Sequence, residues 1–564
     1  MNKTLISCLL CVALGANAAP PTGNGPEPAV SRASDGWNFK LPGEELKALC
    51  DTTLEQARAS FTAIENDTGP ITLATVYGPY DRMILDLQAI RHVWYMSAVH
   101  PDPAVRDAAE ACVEDYTDFD AGISLSRKFY ERVAGIRLED LAPAERRMVE
   151  NQLRIFRESG VDRDQATRDR VRQLQRDITE LGNTFDRTIL EDTRYVDTTA
   201  EALAGLPEDF LAARPADNKG VIRISTDYPD YFPVMKYAEN DELRRQLFIA
   251  TNTIGSPDNS ATLKNLLAKR HELARLLGYD SYAALAMDGL MIGNPDNARA
   301  FLTEVGMAAQ EPAARDLAVL LERLRTIDPS ADQVQPWQGS YLADLVRQEQ
   351  YALDAQQVRK YFHFSKVKRG MFQLTEDLFG VDIVPWETET WHESVTAWEM
   401  RRDGQAIGRF YLDLHPREDK YKHAAHWTLR TGLKDRQLPL SGLATNFPDG
   451  LMEHSQVETF LHEFGHLLHN MFSGTQRWMD ISGMAMERDF VEAPSQMLEE
   501  WIWNYDSLAR FASNDKGEII PRELVAKMNR ARHFGIAMGT AQQIFYANTS
   551  LRFHDGDPAE LELL

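Results

Sequence analysis

Apolar residues recur every three or four positions between about residue 40 and residue 400, the spacing of one face of an α-helix. One run carries Arg, Asp and Gln between its apolar positions: Val171, Leu174, Ile178, Leu181, Phe185 and Ile189. A second run covers 263–277 and meets Gly278, a residue type that commonly ends helices. The pattern therefore predicts a mostly helical chain.

The periodicity changes near residue 395. Residues 395–400 and 407–414 are typical of two strands joined by a turn, and 441–447 is a candidate for a third. Helical spacing resumes at about Ser455 and continues to the C-terminus. We therefore expect a small sheet directly before the helix that begins near Ser455.

The N-terminus has the layout of a secretory signal peptide. Lys3 precedes an apolar run over 5–16, and Ala16 and Ala18 place small residues where signal peptidase cleaves. The run is too short to cross a membrane, so we expect cleavage after Ala18 and a periplasmic or secreted protein without a membrane anchor. Residues 19–35, rich in Pro and Gly, predict a disordered leader.

Composition and charge exclude several classes of function. The 564 residues are 43% hydrophobic and 26% charged, which is ordinary for a globular protein. Lys and Arg number 61 against 85 Asp and Glu, so the formal net charge is −24. Such a surface repels the phosphates of nucleic acids and anionic lipids, so we expect neither as a partner.

Two of the four cysteines, Cys8 and Cys11, lie within the predicted signal peptide. The mature chain would keep Cys50 and Cys112. In an oxidising compartment a disulfide between them is one expectation, and two buried free thiols are the other.

The most informative stretch is 455–470, which contains the His-Glu-x-x-His pattern of zinc peptidases at His462, Glu463 and His466. Residues four apart lie on one face of a helix, so both imidazoles can reach one ion. Glu463 lies about 100° further round the helix, where its carboxylate can reach a metal-bound water and act as a general base. The motif predicts one Zn²⁺ per chain.

Spacing alone leaves the third zinc ligand open. His469 lies about 10 Å along the helix axis from His462, which is too far for both to bind one ion, so we expect it outside the ligand set. The stretch 486–501 offers four competing carboxylates: Glu487, Asp489, Glu492 and Glu499. The remaining nearby histidines are interpreted as loop or packing residues: His415, His423, His426 and His454.

Two motifs taken together, 462–466 and Phe-Val-Glu-Ala-Pro-Ser-Gln at 490–496, closely resemble the thimet oligopeptidase family, which includes oligopeptidase A and peptidyl-dipeptidase. Further similar stretches occur at 275–283, 378–380, 408–414 and 445–447. The resemblance implies that Glu492 is the third zinc ligand and Glu463 the general base. It also makes Glu499 a candidate neighbour of the ligands.

The resemblance also implies a fold and a substrate class. The expected fold is a two-lobed, mostly helical zinc metallopeptidase with a deep channel that admits short peptides and a small sheet beside the active-site helix. The strand at 443–447 would line the cleft and pair with the peptide main chain. The expected regions are the signal peptide 1–18, the leader 19–35, an N-terminal helical region 36–235 and the metallopeptidase region 236–564.

This sequence departs from the family in two respects. Many relatives are cytosolic, whereas this chain begins with a signal peptide. The family also continues to a Gly- and Tyr-rich loop that binds substrate, and 531–564 resembles the helical stretch before that loop, so we interpret 236–564 as C-terminally incomplete.

Two hypotheses follow. The chain is a secreted zinc oligopeptidase that hydrolyses peptide bonds in short peptides, or it is a truncated remnant that binds zinc and peptides with little or no turnover. If the chain is active without the loop, Tyr546 is the first suspect for the missing oxyanion contact.

Overall fold

Helices make up most of residues 37–561, the part of the chain that the computed structural model describes. From Asn38 onward these residues group into one unit. The predicted signal peptide and leader lie outside the described residues. The helices before the sheet are α1 Gly43–Asn66, α2 Leu73–Leu87, α3 Val93–Val99, α4 Pro103–Ser124, α5 Arg127–Ala134, α6 Pro143–Glu158, α7 Gln165–Glu191, α8 Glu208–Ala212, α9 Tyr228–Tyr237, α10 Asp241–Asn252, α11 Asn259–Leu277, α12 Tyr282–Met287, α13 Pro295–Arg325, α14 Gly339–Tyr351, α15 Ala355–Arg359 and α16 Phe364–Phe379. The helices after it are α17 His454–Ser473, α18 Glu492–Glu499, α19 Tyr505–Leu508, α20 Arg522–Arg532 and α21 Ile536–His554.

The two helices predicted from apolar spacing are confirmed. α7 begins after Asp164, whose side chain accepts a hydrogen bond from the Thr167 amide at 3.0 Å and caps the helix. α11 ends at Gly278, which adopts a left-handed φ of 94°. A side chain with a Cβ is strained in that conformation, which explains why glycine stands there.

The strands form two separate sheets, and the larger one adjoins the predicted metal-binding helix. The strands are β1 Tyr195–Thr198, β2 Ile222–Ser225, β3 Asp382–Pro385, β4 Thr396–Arg402, β5 Gln405–Asp413, β6 Ala425–Arg430 and β7 Leu440–Ala444. β1 pairs with β2, and the other five form a sheet in the order β3-β4-β5-β7-β6. The β4–β5 hairpin turns at Asp403 and Gly404, both with positive φ, as two-residue hairpin turns require.

The expectation that 443–447 offers a free main chain to a peptide is wrong. β7 pairs in parallel with β5 and antiparallel with β6, so both of its edges are already used. Beyond the strand, the Thr445 amide donates to the carbonyl of Asp413, the last residue of β5, and the Phe447 amide donates to that of Leu414. Among the described residues, the strand with an open edge near α17 is β6, which the sequence pattern did not reveal.

α17 is buried between the sheet and α16. The Phe464 ring lies 5.8 Å from that of Phe410 on β5 and 5.9 Å from that of Phe372 on α16, measured between centroids. All three side chains are buried. Such aromatic pairs contribute about 0.5–1.5 kcal/mol each beyond the area they bury, and here they fix α17 on the sheet.

A buried ion network orders the segment between β5 and β6. Lys420 and Asp413 are fully buried and lie 2.9 Å apart, and Lys420 also donates to three main-chain carbonyls at 2.6–2.8 Å. Arg417 and the indole of Trp391 complete the partners of the Asp413 carboxylate. Burial lowers the pKa of Lys420 to about 8, against the opposing effect of Asp413. The network ties residues 415–420 to the ends of β5 and β7.

Cys50 on α1 and Cys112 on α4 are joined by a disulfide, the first of the two alternatives expected from the sequence. No helix among residues 37–561 is long and apolar enough to cross a membrane.

Candidate metal centre

α17 carries the predicted motif with its functional side chains on one face. His462 and His466 stand one turn apart, with ring centroids separated by 4.9 Å. The apolar positions of the helix are buried, as predicted: Val457, Phe460, Leu461, Phe464, Leu467, Leu468 and Met471. The burial of this stripe sets the direction in which the two imidazoles point.

Glu492, the first residue of α18, meets both histidines. Its Oε2 lies 3.1 Å from Nε2 of His462 and 3.2 Å from Nε2 of His466. The three ligand atoms lie within 4.8 Å of one another, and within residues 37–561 no other group of His, Cys, Asp or Glu converges in this way. Two imidazole nitrogens and one carboxylate match the donor set of catalytic zinc sites, so these residues fit the ion. The Glu492 side chain is 54% exposed, which leaves the site open to solvent.

A glycine allows α18 to approach α17 closely enough for this convergence. A Cβ on Gly465 would lie only 2.7 Å from the Cα of Ser495. Ser495 is fully buried, and its hydroxyl donates to the Glu492 carboxylate at 3.0 Å. The same contact therefore sets the distance between the helices and orients the third candidate ligand.

Glu499 fixes the ring of His462. Nδ1 of His462 donates to Oε1 of Glu499 at 2.6 Å, and this hydrogen bond raises the pKa of the imidazole. With its proton on Nδ1, the neutral ring presents Nε2 as a lone-pair donor, the usual arrangement at metal-binding histidines. The family resemblance had indicated Glu499 as a neighbour of the ligands, and it occupies that position.

Glu463 is buried beside the candidate ligands. The pKa of its carboxyl is raised to about 7, mainly by burial; the nearby His462 opposes this rise and Glu492 adds to it. The main-chain amide of His426 favours the charged form of this carboxylate and opposes the rise in its pKa. Glu463 therefore lies near β6, the strand that carries His426.

The other carboxylates that competed for the ligand role are engaged elsewhere. Glu487 forms an ion pair with Arg147 of α6. Asp489 accepts hydrogen bonds from the main-chain amides of Met291 and Ile292. The structure therefore brings only Glu492 of these candidates to both histidines.

The additional histidines have mostly the packing roles expected of them. His469 lies outside the converging group, and its Nδ1 is buried without a hydrogen-bond partner. His415 and His454 bond to main-chain carbonyls, and His423 packs against Tyr228. His426 is closer to the site than the sequence suggested, with its ring centroid 6.5 Å from that of His466. Its place on an edge strand gave no sequence signal.

The sequence was compared with models of known protein families. The model described as Peptidase family M3 matches residues 234–563, more than half of the chain. The chain belongs to peptidase family M3.

Curated M3 relatives agree with this assignment and confirm the predicted resemblance. Oligopeptidase A of Escherichia coli (strain K12) is 30% identical over 499 residues, which cover 82% of this chain and 72% of the relative. The thimet-like oligopeptidase of Dictyostelium discoideum is 27% identical over 556 residues, covering 92% and 82%. Membership of this family makes the chain a peptidase.

A solved structure assigned as oligoendopeptidase F, from Bacillus anthracis str. Ames, covers 90% of this chain and 77% of its own, at 12% identity and a TM-score of 0.47. The mostly helical fold with a small sheet, expected from the sequence, is confirmed for the described residues.

The helix contact at the site of this M3 peptidase gives a first prediction. Gly465→Ala should lower the free energy of unfolding by about 1–3 kcal/mol, because the added methyl pushes α18 away from α17. Gly182→Ala on α7 is the matched control, because a Cβ there meets no atom within 4 Å. Its effect should lie between zero and a gain of about 1 kcal/mol. Equal results for the two variants in urea unfolding would contradict the argument.

Proposed function

We propose that this chain is a zinc-dependent oligopeptidase that hydrolyses peptide bonds in short peptides. The observation that carries the proposal is the convergence of His462, His466 and Glu492, whose ligand atoms lie within 4.8 Å of one another. We assign these three residues as the ligands of one Zn²⁺ per chain. A bound zinc ion would supply Lewis acidity, polarising the scissile carbonyl and acidifying water.

Glu463 is the general base of this proposal. Its carboxyl is buried, and burial raises its pKa to about 7. A group with a pKa near the working pH can take a proton from the attacking water and return it to the departing amine. The nearby His426 amide favours the charged form of the carboxylate, which the base needs in order to accept a proton.

The open edge of β6 is the proposed binding strand for the peptide. Among the described residues β6 pairs only with β7, on its other side. An extended peptide can add to such an edge through main-chain hydrogen bonds, which impose little selection on its sequence. This assignment replaces 443–447 as the strand that contacts substrate.

We further propose export through the N-terminal signal peptide, to the periplasm or the outside of the cell. The Cys50–Cys112 disulfide supports this, because disulfides persist mainly in oxidising compartments.

The alternative remains a protein that binds zinc and peptides but turns over little. Such a protein would lack part of the oxyanion stabilisation, and each lost oxyanion donor typically costs about 10²–10³ in rate. The Tyr546 hydroxyl accepts a hydrogen bond from the Gln542 side chain of the same helix, so this contact does not direct the hydroxyl to the metal site. Measured turnover of a short quenched peptide separates the two proposals.

The ligand assignment predicts the metal content of point variants. His462→Ala and Glu492→Ala should abolish stoichiometric zinc, because two donors rarely retain the ion. His469→Ala is the control and should keep one zinc per chain, measured by elemental analysis after dialysis. Full zinc in Glu492→Ala together with loss in His469→Ala would overturn the assignment of the third ligand.

The role of Glu463 predicts a separation of metal binding from catalysis. Glu463→Gln should retain zinc and reduce hydrolysis of a quenched peptide by about 10²–10⁴-fold, since the amide cannot accept the proton. Glu458→Gln is a control on the same helix, at a carboxylate that bonds Trp503 at 3.3 Å. Parent-like turnover by Glu463→Gln would assign the base to another residue. A zinc-loaded parent without turnover would favour the alternative function.

Export predicts the identity of the mature N-terminus. Mass spectrometry of the protein from a Gram-negative host should find Ala19 as its first residue, in the periplasmic or external fraction. Ala18→Arg should block this cleavage, because signal peptidase needs a small residue there. An intact Met1 on cytoplasmic protein would contradict the proposal.

A further inference from the structure

The third candidate ligand, Glu492, follows a long segment that connects α17 to α18. Residues 474–491 link the end of α17 to Glu492, which is the first residue of α18. Glu492 stands at a helix terminus and its side chain is half exposed, so the packing of α18 alone does not fix it. Its position also depends on what holds the residues directly before it.

Asp489 lies three residues before Glu492 and anchors the segment that leads into this candidate ligand. One oxygen of its carboxylate accepts a hydrogen bond from the Met291 amide at 3.1 Å, and the other accepts one from the Ile292 amide at 2.9 Å. Both oxygens are therefore occupied by main-chain donors of a segment about two hundred positions earlier in the sequence. Charge-assisted bonds of this kind are roughly twice as strong as neutral ones.

The donor segment, the loop 288–294 between α12 and α13, is itself held in place. Asp288 accepts hydrogen bonds from the Tyr279 hydroxyl at 2.6 Å and, through its main-chain carbonyl, from Arg154 of α6 at 3.1 Å. Gly289 and Gly293 on either side of the two donor amides adopt positive φ. The amides are therefore presented by a loop whose first residue is held by two hydrogen bonds.

Helix α6 contributes to both parts of this arrangement. Arg154 holds the donor loop, and Arg147 pairs with Glu487, five residues before the ligand. Residues 487–489 thus have two separate attachments to earlier parts of the chain, one ionic to α6 and one through main-chain amides of the loop 288–294.

We propose that Asp489 is a positioning residue for the metal centre, which sets zinc affinity by fixing the residues that lead into Glu492. The inference rests on the proposed zinc site but names a residue outside the ligand set. Removing the Asp489 carboxylate leaves the two histidine ligands in place, but the position of the third donor, Glu492, is then less well fixed. Partners that orient ligands in this way typically change metal affinity by about 10–100-fold when they are mutated.

The test compares Asp489→Ala and Asp489→Asn with the parent. Zinc affinity is measured by competition with a chromogenic chelator, and ligand geometry by the visible absorption of the Co²⁺-substituted protein. Asp489→Ala should weaken zinc binding by about 10–100-fold and change the Co²⁺ spectrum. Asp489→Asn keeps an acceptor oxygen for one of the two amides, so its loss should be smaller.

Asp217→Ala is the matched control. That carboxylate also accepts two main-chain amides, from Lys219 and Val221 at 2.8 Å, in a loop that does not contact the site. Its zinc affinity and Co²⁺ spectrum should equal those of the parent, whatever its stability. If Asp489→Ala does not fold, Asp489→Asn carries the test.

Three results would overturn the inference. Parent-like zinc affinity and Co²⁺ spectrum in the Asp489 variants would show that the anchor does not act on the site, with the proposed function unaffected. Equal losses in the Asp217 and Asp489 variants would reduce the effect to general stability. A parent chain that takes up no zinc would instead overturn the proposed function, and this inference with it.

Discussion

The site depends on how closely two helices approach each other. α17 and α18 meet where Gly465 faces Ser495. Any other residue at position 465 would push the two helices apart, because its Cβ would lie 2.7 Å from the Cα of Ser495. That contact brings a carboxylate to within 3.1–3.2 Å of two imidazoles. A displacement of α18 by the width of one methyl group would spread the donors beyond the distance at which one small ion can bind them all.

The segment that follows β5 contains buried charges, and these charges need partners. Asp413 and Lys420 are fully buried as an ion pair, and such pairs commonly lose more in desolvation than they gain in attraction. The partners of Lys420 on the main-chain carbonyls of Asp413, His415 and Thr445 offset that loss. They tie the segment after β5 to the end of β7, next to which β6 pairs.

The sequence predicted the features that depend on neighbouring residues. It did not predict those that depend on contacts between distant segments. His462, Glu463 and His466 follow from helical spacing alone, and α7, α11 and the β4–β5 hairpin follow from short-range periodicity and turn residues. The choice of Glu492 among four carboxylates could not be made from spacing, because it depends on which helix faces α17; the family resemblance indicated it. β7 was misjudged because its parallel pairing with β5 joins strands distant in the chain. Asp489 and the Lys420 network gave no sequence signal, since their partners lie in remote segments or are main-chain atoms.

The open edge of β6 has a consequence for what can be cut. A peptide that binds there must offer unpaired amides and carbonyls in an extended conformation, and the strands of a folded protein have already committed theirs to neighbours. If β6 binds substrate as proposed, selection against folded proteins would arise at the strand itself, in addition to any steric barrier. By the same reasoning, a proline at a position whose amide must donate to β6 makes a poor substrate, because proline has no N–H. On this proposal, the edge of β6 would select substrates by the hydrogen bonds that their backbone can form, and most side chains would have little effect on binding.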